Sequence, residues 1–503
     1  MIAIAARLPS CSESFWVDEL HSAWSVWGTF GEVAPRAAEG NQTPFYFWVI
    51  WVWKQIFGES ELILRLPSVI ASSLAASVLV ISIAQSRKCL LAGMVAGLLM
   101  ALESNSIFYG TELRPFAFVI LLGAIGSWAL GQSFHGLSYQ SKHATSLLVL
   151  ISTIAFALQP TSIGVFVWLV SASFLIRNQS IRKVVFSFEA KPRLKFIYLF
   201  CLVLFSIQIS GFGIEVLSTA WKLRTQWGSV GQATSFRQYW NAWPWVALVI
   251  APSTIWMVAR AVVAVQSSSQ QATLSTADGS VAGHLVVVAA LAVGTFWTVS
   301  VLDIAPVFHR RYFVACLPIL AAACGEIVAN TIRLVAIIRM PLTAMRTLTL
   351  TVATIPLAIV LVSQQLPAKM LAGDVVLVRR GEGWRQAVRW LHENQPADRV
   401  VLLSPGLIET ERLLERESPS SMESAGYLTF PLSGTYPWKN IEVINMSNTK
   451  MAGGDTLVLR GSPTMGRKLI ESQTKSGEIA AKIHTFGGVQ VIEFSEVGAV
   501  DTK

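Results

Sequence analysis

Ten apolar runs govern what this chain can fold into. They lie near 62–84, 88–104, 114–131, 146–158, 160–176, 196–214, 244–264, 284–302, 312–330 and 347–365, and most approach the roughly 20 residues a helix needs to cross a bilayer. Backbone that crosses hydrocarbon must satisfy its own N–H and C=O groups, which a helix does within itself. Only 14% of residues are charged and 53% are hydrophobic, where a soluble chain carries about 25% charged residues. The expected fold class is a polytopic α-helical membrane protein with about ten or more transmembrane helices. Two runs, 146–158 and 160–176, are short and are divided at Gln159-Pro160. The segment PFYFWVIWVWKQIF at 44–57 is too short to span and reads as an aromatic helix lying at the interface.

The net charge of +9 is a property of loops, and no nucleic-acid partner is inferred from it. Loop 177–195 holds Arg177, Arg182, Lys183, Lys191, Arg193 and Lys195; loop 331–346 holds Arg333, Arg339 and Arg346; the turn 86–88 holds Arg87 and Lys88. Counting runs places all three on one side, which their basic character assigns to the cytoplasm. The opposite side receives residues 1–61, 105–113, 215–243, 303–311 and everything after 366. Three regions follow. Residues 1–61 are a first extracytoplasmic loop containing the interfacial helix 44–57, residues 62–367 are the bundle, and residues 368–503 are a small extracytoplasmic α/β domain. The last is read from GDVVLVRRGEGWRQAVRWLHENQPADRVVLLSP, whose patterns run strand, helix, strand, and from DTLVLRG and VQVIEF further on. Within it Gly381-Glu382-Gly383 lacks the third glycine of a dinucleotide loop and reads as an ordinary helix start. Residues 1–13 are too short for a span, although an outer Asp18 requires the N-terminus to cross or be exported; a start codon placed too late is the preferred reading, a lost preceding helix the other. The cysteines at 11, 89, 201, 316 and 324 follow no metal or disulfide spacing and read as packing residues.

Three polar clusters share the outer side. SFWVDELHSAWSVW carries Asp18, Glu19 and His21; SNSIFYGTELRPF carries Glu112 and Arg114; DIAPVFHRRYF carries Asp303, His309, Arg310 and Arg311. Ionisable groups close to hydrocarbon are costly and tend to mark sites. Arginine grips phosphate in a bidentate fork, and a carboxylate is free to take a proton, so the combination suits a phosphate-bearing, lipid-anchored substrate. Each cluster also has a plainer reading: acids at a helix start, snorkelling arginines, or a local surface pair. Their coincidence on one face weakens all three.

At these residues the chain resembles the family 39-like membrane glycosyltransferases of the GT-C superfamily, the group of the protein O-mannosyltransferases and the lipid A aminoarabinose transferase. FWVDELHSA matches the aromatic-Asp-Glu motif of the first outer loop. TPFYFWVIWVWKQIFGESELILRLPSV matches the interfacial helix and the Arg-Leu-Pro-Ser start of the next helix. SIFYGTELRPFAF matches Tyr-x-x-Glu-x-Arg-Pro-aromatic, and RRYFVACLP matches the late Arg-Tyr…Pro motif. GWRQAVRWL resembles the start of the outer domain of many relatives. The resemblance implies Asp18 as the catalytic carboxylate, Glu112 as the second-loop acid, and Arg114, Arg310 and Arg65 as holders of donor phosphate. Glu19, His21, Tyr109, His309 and Arg311 complete the implied substrate-binding set. The implied reaction is inverting: an acceptor oxygen attacks the anomeric carbon of a polyprenyl-phosphate sugar while lipid phosphate leaves, its charge stabilised by arginine. The acceptor is a lipid, glycan or protein, and the setting is the cell (inner, cytoplasmic) membrane with the active site on the extracytoplasmic face. One departure stands out. Relatives carry His-Pro-Pro or a metal-binding Glu before the interfacial helix, whereas here the segment is Gln42-Thr43-Pro44. Gln42 is a poor transition-metal ligand, so a divalent metal stays an open question. Two other classes compete: a transporter or flippase of lipid-linked sugars, which would carry charge at mid-membrane depth and broken helices in matched halves, and an inactive relative acting as a binding subunit.

Overall fold

A computed structural model describes residues 1–134, 139–177, 231–266, 280–338, 340–394, 400–407, 410–414, 426–438, 440–446, 449–474 and 479–497, together with 203, 218, 221, 222, 224 and 225. The main helices, in chain order, begin with α1 (Ile2–Arg7), α2 (Val17–Ser25), α3 (Phe30–Glu39), α4 (Pro44–Phe57) and α5 (Glu61–Arg87). They continue with α6 (Leu90–Leu102), α7 (Ser104–Gly110), α8 (Phe116–Ser133), α9 (Tyr139–Leu158) and α10 (Ile163–Arg177). Then follow α11 (Ala251–Gln266), α12 (Ser280–Val301), α13 (Cys316–Ile337), α14 (Leu342–Ser363), α15 (Trp384–Asn394) and α16 (Pro463–Gln473). Contacts divide the chain into two compact units. One is Met1–Cys11, Asn41–Val49 and Arg65–Val378; the other is Ser12–Gly40, Ile50–Leu64 and Arg379–Lys503.

The first unit is helical. Among the described residues, six helices are long and apolar enough to cross a membrane: α5, α8, Val246–Val265, Val281–Val301, α13 and α14. The expected run 88–104 is instead a bent pair, α6 and α7, turned by 62° at Glu103, whose backbone is extended. The runs at 146–158 and 160–176 are shorter apolar helices separated at Gln159-Pro160, and run 196–214 lies outside the described residues. Ten apolar runs therefore do not become ten full-length spans among these residues. The reason is local: a capping carboxylate at 103 and a proline at 160 each end a helix early.

The core helix of this unit is α13, which packs on α6, α8, α11, α12 and α14. Its apolar window is 83% buried, against 22% for α14. Small residues make that possible, as they do wherever membrane helices approach closely. At Gly325 a Cβ would stand 2.6 Å from Ile83 Cδ1 and 2.9 Å from Ala96 Cβ, so any larger residue would push α13 off α5 and α6. The next residue, Glu326, is buried and paired with Arg87, whose carbonyl accepts from Arg333 Nη2 at 2.9 Å.

The second unit contains a five-stranded sheet in the order β2-β1-β3-β5-β4. Its strands are β1 (Val401–Ser404), β2 (Ile441–Val443), β3 (Thr456–Arg460), β4 (Ile479–Phe486) and β5 (Val489–Glu496). Strand β1 runs parallel to β2 and β3, and β5 is antiparallel to β3 and β4. Residues 401–404 are buried without alternation, as befits an inner parallel strand covered on both faces, while β4 alternates in burial as an edge strand does. Leu402, Leu457, Leu459, Ile492 and Phe494 form its core. The strands read at VVLLSP, DTLVLRG and VQVIEF are present. The one read at VVLV, residues 375–378, is absent, and Val375 is exposed. Its carbonyls are taken by side chains: Leu377 O accepts from Lys369 Nζ at 3.0 Å and Val378 O from Ser10 Oγ at 3.1 Å. Residues 12–40, read as loop, carry α2 and α3 in this unit.

Candidate active site

In the first unit the second and third polar clusters converge. Tyr109, on α7, feels the charges of Glu112, Arg311, Arg310 and Glu103. Arg310 is exposed and donates to Asn105 Oδ1 at 3.3 Å and to Asn241 O at 2.7 Å. Arg311 lies 5.1 Å over the Tyr312 ring and its backbone N–H donates to His309 Nδ1 at 3.3 Å. His309 thereby caps the short turn Arg310–Phe313. Glu112 and Arg114 are buried at the turn between α7 and α8. That turn is tightened by Arg114 N–H donating to Glu112 O at 2.8 Å and tied to α5 by Ser68 Oγ donating to the same carbonyl at 2.7 Å. Arg65 is fully buried and donates from Nη1 to Cys11 O at 3.0 Å. This unit thus carries a buried acid, Glu112, and the buried arginines Arg65 and Arg114, together with the exposed Arg310.

Two residues that hold this corner were not singled out by the sequence. Glu103 caps α7, accepting from Ser106 N–H at 2.7 Å, and also accepts from Asn105 Nδ2 at 2.6 Å and Gln364 Nε2 at 3.2 Å. Arg7 is completely buried. It donates to Ala101 O at 2.9 Å and Met100 O at 3.1 Å, closing the end of α6, and to Ser106 Oγ at 2.7 Å. Carbonyls at a helix end lack intrahelical donors, and in an apolar bundle no water replaces them. The signal for both was a charge at the edge of an apolar run.

The second unit contains the first cluster. Asp18 and Glu19 open α2, but they differ in surroundings. Glu19 is fully buried, accepts from Trp16 N–H at 3.4 Å and pairs with Arg380 at 3.3 Å. It is a helix-start acid of the kind the dipole favours. Asp18 is half-buried. His21 is buried in the aromatic nest, its ring 5.1 Å from Tyr427 and its Nε2 3.1 Å from Arg36 O. The residue missed here is Glu382. Its Oε2 accepts from Val17 N–H at 3.0 Å and Trp384 Nε1 at 2.9 Å, and its Oε1 from Arg460 Nε at 2.7 Å. Burial pushes its carboxyl above the usual range, Arg460 opposes that, and the Asp18 charge adds to it. Asp18 therefore stands in the second unit with Glu19 and His21, whereas Glu112, Tyr109, Arg65, Arg114, His309, Arg310 and Arg311 stand in the first.

No cluster of three or more His, Cys, Asp or Glu side chains suited to a metal occurs among the described residues. Gln42 is half-buried, and Thr43 Oγ1 beside it donates to Ala157 O at 2.6 Å at the end of α9.

An apolar helical bundle with two motif-bearing turns at one corner, together with an α/β unit, is the architecture of a polytopic membrane protein. Comparison with solved structures agrees at the level of fold. The chain is similar to the crystal structure of ArnT from Cupriavidus metallidurans bound to undecaprenyl phosphate, with a TM-score of 0.50 and 13% identity over 99% of this chain and 97% of that one. The apo state of the same protein gives a TM-score of 0.48 and 13% identity over 98% and 96%. No model of a known protein family matches the sequence, and no curated protein matches it either. The fold is shared with the first of these structures, at low sequence identity.

Proposed function

We propose that the protein is an inverting membrane glycosyltransferase that moves a sugar from a polyprenyl-phosphate donor to an acceptor on the extracytoplasmic face of the cell membrane. The observation that carries this reading is the whole-length likeness to an ArnT structure that holds undecaprenyl phosphate. The charge distribution supports it: Tyr109 feels the charges of Glu112, Arg310 and Arg311, the exposed Arg310 and the buried Arg114 offer cationic contacts for a lipid phosphate, and a half-buried Asp18 offers a carboxylate to an acceptor hydroxyl. In this reading Arg114, Arg310 and Arg65 hold the donor phosphate and stabilise its departure, Asp18 takes the acceptor proton, and Glu112 supports the second loop.

Purified protein in liposomes, supplied with a panel of undecaprenyl-phosphate sugars, tests the proposal by release of undecaprenyl phosphate. Asp18→Asn keeps size and hydrogen bonding but removes the base, so turnover falls by roughly 10²–10⁴ with donor binding retained. Arg310→Ala or Arg114→Ala weakens donor binding first. Normal turnover of Asp18→Asn would remove Asp18 from the chemistry, and failure to release lipid phosphate from any donor in the panel would sink the function.

A further inference from the structure

The stretch that leads into Asp18 is held almost residue by residue within the second unit. Ser12 O accepts from Arg385 Nη1 at 3.1 Å, Glu13 from Arg380 N–H at 3.2 Å, and Ser14 Oγ from Arg385 N–H at 3.2 Å. Phe15 N–H donates to Tyr436 Oη at 2.9 Å. Next comes Val17, the first residue of α2, whose N–H has no partner within its helix and donates to Glu382. Asp18 follows directly.

We infer that Glu382 is the positioning residue for Asp18: by accepting the Val17 N–H it fixes the first turn of α2 and so the direction in which the Asp18 carboxylate points. Three features make this more than a stray contact. Glu382 is itself locked, by Trp384 Nε1 on one oxygen and Arg460 Nε on the other. Its backbone is set by the glycines around it. Gly381 has φ +79°, and at Gly487, opposite Glu382 in an antiparallel bridge, a Cβ would lie 2.0 Å from Gly381 O. At Gly383 a Cβ would lie 2.7 Å from Phe486 O. The Gly-Glu-Gly sequence is thus a corner that delivers a carboxylate to the start of α2. Finally, Glu382 is coupled to Asp18 by charge: Arg460 acts on it as the opposing charge and Asp18 as a like one, while Glu19, next to Asp18 in sequence, pairs with Arg380. A misplacement of about 1 Å at a reacting group costs on the order of 10²-fold in rate, so fixing this turn matters only if Asp18 acts. The inference rests on the proposed role of Asp18 in that sense.

The test uses the full-length protein in liposomes and two readouts. In the first, the cysteines at 11, 89, 201, 316 and 324 are replaced by alanine, Asp18→Cys is introduced, and iodoacetamide alkylation is followed against pH. A nearby carboxylate raises a thiol's pKa and its removal lowers it. Adding Glu382→Gln is expected to move the alkylation midpoint down by about half a unit or more, and adding Arg460→Gln, which leaves Glu382 without its cation, to move it up. Shifts of opposite sign cannot come from general loosening of the fold, and Arg460→Gln keeps the test alive if Glu382→Gln misfolds. An unmoved midpoint in both overturns the inference. In the second readout, with whichever undecaprenyl-phosphate sugar is turned over, Glu382→Gln is expected to lower kcat about tenfold with donor KM unchanged, and to do nothing further in an Asp18→Asn background. Additive losses overturn the positioning role. Normal turnover of Asp18→Asn with the alkylation shifts intact would instead locate the failure in the proposed function.

Discussion

The bend between α6 and α7 and the start of α2 solve one problem with opposite charges. At the bend, Arg7 donates to carbonyls that end a helix; at α2, Glu382 accepts from an N–H that begins one. Both follow from the orphaned groups at helix termini and the dipole they create. They differ in how the charge is compensated. Arg7 lies wholly buried among apolar helices, with Glu103 as its charged neighbour acting at longer range. Glu382 has Arg460 in direct contact, and that arginine keeps 27% of its side chain exposed. The cost of losing a capping charge is set by what remains unsatisfied and unhydrated, so the bundle corner is the brittle one.

The largest expected effect therefore falls on a buried charge of the bundle. Removing one partner of the Arg87–Glu326 pair, as in Glu326→Leu, is expected to cost about 3–5 kcal/mol because the other charge stays buried alone, while Arg87→Met with Glu326→Leu is expected to be near neutral. Thermal unfolding in detergent, followed by the loss of the monodisperse chromatographic peak, measures both. A double variant as unstable as the single one would show that the Arg87 side chain has a task beyond its pair with Glu326.

Arg7→Leu comes next. It strips the carbonyls of Met100 and Ala101 of their donors in a site closed to water, and hydrogen bonds to a charged group are worth about 1.5–3 kcal/mol each. Arg7→Lys keeps the charge but loses the fork and is expected to fall between Arg7→Leu and the natural protein. Equal stability of all three would mean that Glu103 alone holds the bend.

Much of the bundle corner was legible in the sequence, and much of the second unit was not. The motifs SIFYGTELRPF and RRYF could be placed together because span counting put both turns on one side, and Tyr109 does lie within the field of Arg310 and Arg311. Helix α4 has the limits the sequence suggests, Pro44–Phe57, because a proline starts it and Phe57-Gly58 ends it. What periodicity cannot see is a partner far away in the chain. Val17 and Glu382 are 365 residues apart, so residues 12–40 read as loop and Gly-Glu-Gly as a plain helix start. Glu326 was passed over because one carboxylate barely lowers the hydropathy of its run, and Arg7 because the first 13 residues were too short to be a span.

The smallest effect sharpens the comparison from the solvent side. At the start of α3, Glu32 does openly what Glu382 does in a buried setting. Thr29 N–H donates to its Oε2 at 2.6 Å and Thr29 Oγ1 at 2.8 Å, and Arg36 pairs with Oε1 at 2.8 Å. The Thr29 backbone bond, then the Thr29 hydroxyl, then Arg36 hold the Glu32 carboxyl below its ordinary 4.5. A carboxyl depressed in the folded state stabilises the protein above the unfolded value and loses that contribution as pH falls through the folded one. The stabilisation is therefore expected to be complete at neutral pH and to fade below 4.5. With 43% of the Glu32 side chain exposed, solvent screening limits it to about 0.5 kcal/mol or less. Glu32→Gln is then expected to lower the unfolding temperature slightly at neutral pH, with the difference closing in acid, and Thr29→Ala to cost about 1 kcal/mol through loss of the cap. A Glu32→Gln difference that stays constant as the pH is lowered would show that the carboxyl acts there by shape rather than by charge, and burial would no longer be what separates the two kinds of helix start.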